Sequence, residues 1–240
     1  MLLRLFDLLL TDPIAFLALL PVIAATVGVG LVVAISVHEF SHALVAYQLG
    51  DDTARLRGRL SLNPLVHLDP IGTLMLLVIG FGWGKPVPVN PYYLRPGPRG
   101  GMAMVGLAGP LSNLVTAGLI ALPMRLGVYP WHSPLLYAPF AQRTWSWLVA
   151  DVLGYVIFFN IILALFNLIP IPPLDGFNVI QGLVPRDVGH GTFSRLAQYG
   201  PMILLLVVAY DIFTGRGILW GLLRPAVNAT AAVVVGRPFF

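Results

Sequence analysis

The chain has 240 residues, 58% of them hydrophobic and 10% charged, with a mean hydropathy of +0.85. A water-soluble domain of this size cannot enclose so much apolar surface, so lipid is part of its solvent. The formal charge of +4 comes without a basic run suited to nucleic acid, and the absence of cysteine excludes disulfides, thiolate metal sites and a cysteine nucleophile.

Residues 1–12 contain Arg4 and Asp7 among leucines, with no small-residue cleavage site, and read as an amphipathic segment on the membrane surface. From Ile14 to Leu49 the chain is almost wholly apolar, longer than the roughly 20 residues a spanning helix needs. Pro21, Gly28 and Gly30 mark where it bends or begins, which puts the span at Val22 to Gln48. Residues 53–62 alternate arginine with leucine and predict a short strand or hairpin. Asn63 to Pro70 turns the chain back, and Ile71 to Trp83 is too short to cross, which suits a re-entrant segment. Prolines 86, 88 and 91 exclude helix and predict extended chain over 85–91.

Gly101 to Met124 is a span ended by Arg125. The loop from Gly127 to Trp147 carries Trp131, Tyr137, Trp145 and Trp147, aromatics that belong at a membrane interface. Leu148 to Ile169 is a further span, with Asp151 near its start. It runs into Asn167 to Gly176, where Pro170, Pro172 and Pro173 unwind it, and irregular backbone at membrane depth must be buried in protein or line a wet cavity. Gly182 to Gln198 reads as a polar loop, Tyr199 to Phe213 as a span, and Gly217 to Val235 as a last apolar stretch broken at Pro225. The expected fold is an all-α polytopic membrane protein with about five to six hydrophobic segments, in a single domain over 1–240.

Cations orient it. Arg55, Arg57, Arg59, Lys85, Arg95, Arg99, Arg186 and Arg195 fall on one side, against Arg4, Arg125, Arg143 and Arg216 on the other. The richer side is expected in the cytoplasm.

Inside the first span stands His38-Glu39-Phe40-Ser41-His42. Histidines at i and i+4 share a helix face and can grip one metal ion, with Glu39 beside it to take a proton from water. A buried polar cluster is the bland alternative, but three ionisable groups in one turn of a membrane helix are too costly to be common. A catalytic zinc wants a third protein ligand. Glu39 is the only glutamate and Gln48 stands six residues after His42, so a distant glutamate and a third histidine at that spacing are both excluded. His67, His132 and His190 remain in loops. Asp175 remains in the proline-broken segment, where a divalent cation would best explain its carboxylate.

Two further motifs accompany the first: Gly106-Leu107-Ala108-Gly109-Pro110-Leu111-Ser112-Asn113, and Asn167-x-x-Pro170-x-Pro172-x-Leu174-Asp175-Gly176. With these three in this order, the chain resembles the site-2 protease family of intramembrane zinc metalloproteases (peptidase family M50) over roughly residues 20–200, leaving 201–240 as C-terminal hydrophobic segments. The resemblance implies a three-helix catalytic core and one Zn2+ held by His38, His42 and Asp175. It also implies Glu39 as base and Asn113 as a residue that positions substrate or stabilises the oxyanion. Transmembrane protein substrates are implied with them, and the cation count above puts their expected cleavage in the cytoplasmic half of a cell membrane. The chain has no room for the PDZ or CBS domain of larger members.

Rival intramembrane proteases fail on sequence. Tyr210-Asp211 comes too late for the aspartyl class, Gln48-Leu49-Gly50-Asp51 lacks its first glycine, and no serine has the Gly-x-Ser-Gly setting of the rhomboids. A metal transporter or a non-proteolytic metal-binding membrane protein is the remaining alternative. A transporter should place ionisable residues on several spans, whereas they concentrate at one point here.

Overall fold

The computed structural model describes residues 10–79, 82–131, 133, 144–185, 190–214 and 217–240. The expected surface segment therefore lies almost wholly outside the described residues, as do His132, Tyr137, Arg143, Arg186 and Arg216. In chain order the helices are α1 (Pro13–Gln48), α2 (Thr53–Leu56), α3 (Pro70–Ile79), α4 (Pro98–Arg125), α5 (Trp145–Asn167), α6 (Asp175–Leu183), α7 (His190–Thr214) and α8 (Ile218–Val234). Among the described residues four stretches are long and apolar enough to cross a membrane: Ala25–Gln48, Pro98–Arg125, Trp145–Asn167 and Phe193–Thr214. The all-α polytopic expectation holds.

Helices α1, α4 and α5 pack on one another, and α6 packs on α4. Small side chains make this possible: Ala117 and Ala121 of α4 and Ala150 of α5 are fully buried, beside Ile157, Ile161 and the Val227–Ala231 stripe of α8. Without a hydrophobic driving force between helices in lipid, close backbone approach through small residues is what holds such a bundle.

Several local expectations are corrected. Residues 53–62 form no strand. Asp51 Oδ1 accepts from both the Thr53 N–H and its hydroxyl, which bends the chain into the single turn of α2, and Gly58 (φ +68°) turns it again. An alternating pattern also needs a partner strand, and Leu56 and Leu62 stand exposed without one. The only β pairing among the described residues is an isolated antiparallel bridge, Leu68 with Gly84. Residues 85–90 carry no helix or strand, in keeping with the extended chain that alternating prolines favour, whereas Pro91, expected to belong to it, opens a 3-10 turn over Pro91–Tyr93. Helix α1 runs through Pro21 and α8 through Pro225 without ending. Trp145 and Trp147 open α5 rather than close a loop. Helix α7 starts at His190, so Ser194, Arg195 and Gln198, read as loop, are helical and exposed: polarity there reports solvent around a helix end.

Asp51 ties the end of α1 to the extended segment. The residue is fully buried, and its second oxygen accepts the Asn90 N–H at 2.6 Å, while Arg95 N donates to Leu49 O at 2.9 Å. Truncating a buried carboxylate that accepts three hydrogen bonds leaves those donors unpaired, a loss of about 2–3 kcal/mol. Asp51→Ala is expected to lower the melting temperature of detergent-solubilised protein by about 5–10 °C, and Thr53→Val by less than half of that. Unchanged melting in Asp51→Ala would show that this tie does not hold the segment.

Candidate metal centre

One helical turn separates His38 from His42 on α1, so both imidazoles leave the same face. Their rings meet edge to face with centroids 4.6 Å apart. The third group arrives from far along the chain. Helix α5 ends at Asn167, the prolines carry the backbone through turns, and Asp175 opens α6, where a first-turn carboxylate suits the helix dipole. Asp175 Oδ2 lies 3.0 Å from His38 Nε2 and 3.2 Å from His42 Nε2. The three ligand atoms fall within 4.8 Å of one another.

The groups behind them determine what they can hold. His42 Nδ1 is 2.7 Å from Val105 O, a carbonyl that can only accept, so Nδ1 carries the proton. His38 Nδ1 is 2.6 Å from Asn113 Oδ1. That amide is oriented by its other end, which lies 2.9 Å from Ala34 O and must therefore be the nitrogen. His38 Nδ1 is then also a donor. In the neutral rings both Nε2 atoms present lone pairs, and they face a buried carboxylate oxygen that has no hydrogen-bond donor of its own. Three lone pairs aimed at one place repel unless protons or a metal ion lie among them. Ligand atoms on a tetrahedral zinc, with bonds of about 2.0–2.1 Å, stand about 3.3 Å apart, close to both observed separations. The donor set fits the ion.

Helix α4 presses directly on this site. A Cβ on Gly109 would stand 2.5 Å from His42 Nε2 and 2.7 Å from His38 Nε2, so only glycine leaves the imidazoles room to meet Asp175. One turn earlier, a Cβ on Gly106 would come 3.1 Å from Asp175 O, and the bare backbone lets α6 lie against α4. Arg99 holds the far end of α6, donating from Nη2 to Gln181 O at 2.6 Å and to Val184 O at 3.1 Å. A cation on those last carbonyls is favourable in charge as well as in hydrogen bonding.

Glu39 follows His38 on α1. It is half-buried and makes no hydrogen bond or ion pair among the described residues. Asn113 is enclosed: its side chain is 0% exposed, and Nδ2 donates to Asn160 Oδ1 at 2.7 Å as well as to Ala34 O. Both amide hydrogens are thus committed to protein acceptors.

Asn160 was missed in the sequence, although a lone amide in the run Phe158-Phe159-Asn160-Ile161-Ile162 was a signal that something polar awaited it. It too is 0% exposed, and its Nδ2 donates to Val156 O at 2.8 Å. His67 does not join the ligands. Its ring is buried with Nε2 2.7 Å from Ser61 O, and its carbonyl accepts the Lys85 N–H at 2.7 Å, so it sits in the loop that backs the extended segment. His190 opens α7.

A profile of peptidase family M50 matches residues 130–208. YwhC of Bacillus subtilis, named as a candidate zinc metalloprotease, is 38% identical over 208 residues, covering 87% of this chain and 88% of that protein. Rip2 of Mycobacterium tuberculosis, named likewise, is 30% identical over 210 residues, 85% of this chain and 73% of that protein. A third protein so named, from the archaeon Methanocaldococcus jannaschii, is 32% identical over 146 residues, 60% of this chain and 63% of its own length. No solved structure matches. With similarity of this extent to the first two relatives, and with the matched profile, the chain belongs to peptidase family M50, the site-2 proteases.

Proposed function

We propose that this chain is an intramembrane zinc endopeptidase that hydrolyses a peptide bond in or near a transmembrane segment of another membrane protein, as in regulated intramembrane proteolysis. One observation carries the reading: two imidazole lone pairs and an unpartnered carboxylate oxygen converge beside Glu39 within apolar helices. Relatives named as zinc metalloproteases support the choice of ion.

His38, His42 and Asp175 would hold one zinc ion, whose Lewis acidity lowers the pKa of a water toward ~7 and polarises a peptide carbonyl. Glu39, uncommitted and on the next position of the helix, takes the water proton and returns it to the leaving nitrogen. Asn113 has no free donor for an oxyanion, so its part is to hold His38. The cation distribution supports a position for this machinery in the cytoplasmic half of the membrane.

A helical substrate hides its amides, so it must be held extended for cleavage. Residues 85–90, which follow Gly84, are suited to this. A Cβ on Gly84 would stand 3.8 Å from Ile35 Cγ2, and Ile35 is one turn from Glu39. Val87 and Val89 share one edge of the extended chain, since alternate residues point the same way. Their backbone amides make no hydrogen bond among the described residues, and prolines occupy the alternate positions. That edge could add a substrate strand.

Three outcomes are expected with detergent-solubilised protein and a transmembrane peptide substrate. Glu39→Gln keeps its zinc and loses cleavage by about 10²–10⁴-fold, the range of a general base; persistent cleavage would sink Glu39 in that role. Asp175→Ala loses zinc together with activity, and a stoichiometric metal content in that variant would remove Asp175 from the ligands. Val87→Pro and Val89→Pro each retain zinc and reduce kcat/KM by about tenfold, the worth of one lost hydrogen bond. Full activity in both would argue against the strand edge.

A further inference from the structure

Ala34 O takes only one of the two Asn113 amide hydrogens. The other points across the bundle to Asn160 Oδ1, which is oriented in turn by its own Nδ2 bond to Val156 O. The result is a polar chain, His38 to Asn113 to Asn160, that crosses all three core helices with every member sealed from solvent. We infer that Asn160 is a positioning residue of the metal centre, which acts through Asn113 to keep the His38 lone pair on Nε2 and aimed at the ligand position.

Reversing the Asn113 amide shows why two acceptors are used. Its oxygen would then face both Ala34 O and Asn160 Oδ1, while its nitrogen would meet the His38 Nδ1 hydrogen. Oxygen against two oxygens, with no water to intervene, is a strongly disfavoured arrangement. Replace Asn160 by an apolar residue and one of the two clashes disappears. One Asn113 hydrogen also loses its partner, and the amide is free to tilt away from His38. Groups that fix a ligand's tautomer and ring direction typically change metal affinity by 10–100-fold when lost. Asn160 never touches the metal, so its effect must pass through Asn113. A residue that merely filled space in α5 would not behave so.

This inference rests on the metal-centre reading above, and zinc affinity of the full chain, measured by competition with a chelator, tests the two separately. Asn113→Leu is expected to weaken zinc binding by about 100-fold and Asn160→Leu by about tenfold. In the double variant the affinity should equal that of Asn113→Leu alone, because the path from Asn160 is already cut. Asn160→Asp, neutral in an apolar bundle, keeps an acceptor for Asn113 and a donor for Val156 O, and should bind zinc within about twofold of the parent. That variant, with Asn160→Ala in place of leucine, carries the comparison if Asn160→Leu does not fold. Losses that multiply in the double variant overturn the inference. So does an Asn160→Leu protein that binds zinc as the parent does. A parent protein that binds no zinc overturns this inference and the metal-centre reading together.

Discussion

The structure turns on a charge problem: two imidazole nitrogens and a carboxylate oxygen meet inside a bundle of apolar helices. A lone pair without a donor is costly in water-poor surroundings, and three aimed at one another cost more. Each surrounding feature limits how this cluster can relax. Val105 O and Asn113 Oδ1 hold the ring protons on the far side of each histidine. Gly109 gives the rings space to turn toward Asp175, and α6 is held at both ends, by the bare backbone of Gly106 and by the Arg99 guanidinium. Were any ring able to rotate, a cheaper arrangement would be found. The packing removes those alternatives.

The same constraint explains the division of labour along α1. Ala34, His38 and His42 look into the bundle, where α4 supplies the acceptors Val105 O and Asn113 Oδ1 to the two imidazoles and the Asn113 Nδ2 donor to Ala34 O. Ile35, one turn before Glu39, borders Gly84, which in turn lies against the His67 carbonyl. The histidine side is held still, and the half-buried Glu39 carboxylate makes no hydrogen bond or ion pair among the described residues. The proposed function calls for both: fixed groups to hold a metal, and an uncommitted carboxylate to pick up and release a proton.

What could be read from sequence follows from the range over which each signal acts. His38 and His42 were legible because helical spacing alone puts them on one face. Asp175 was legible through its proline-rich motif, since prolines at membrane depth must unwind the chain. The strand expected over 53–62 failed because alternation describes a surface, not a partner, whereas Asp51 decided the local fold through a hydrogen bond to the residue two positions on. Helix α7 began before its apolar stretch because hydropathy reports solvent rather than backbone. Asn113 was legible through its motif, but the spacing of residues cannot show that both hydrogens of its amide are already taken. Asn160 stood in plain view as a single amide among phenylalanines and isoleucines. Only its neighbours across two helices gave it meaning.

For the proposed peptidase, the packing around the site also constrains the direction from which a substrate comes. On the α4 side, Gly109 is already in contact distance of both histidines, so no peptide can enter there without moving a helix of the core. On the α5 side, Asn113 and Asn160 are sealed and fully bonded, and a peptide carbonyl would have to break that chain to find a donor. The side left is that of Ile35 and residues 85–90, where the Val87 and Val89 amides have no partner among the described residues. Rigidity around the three candidate ligands and the Val87 and Val89 amides, unpartnered among the described residues, thus favour the same approach. On the proposed reading, the arrangement that fixes the metal also determines where the chain to be cut must lie.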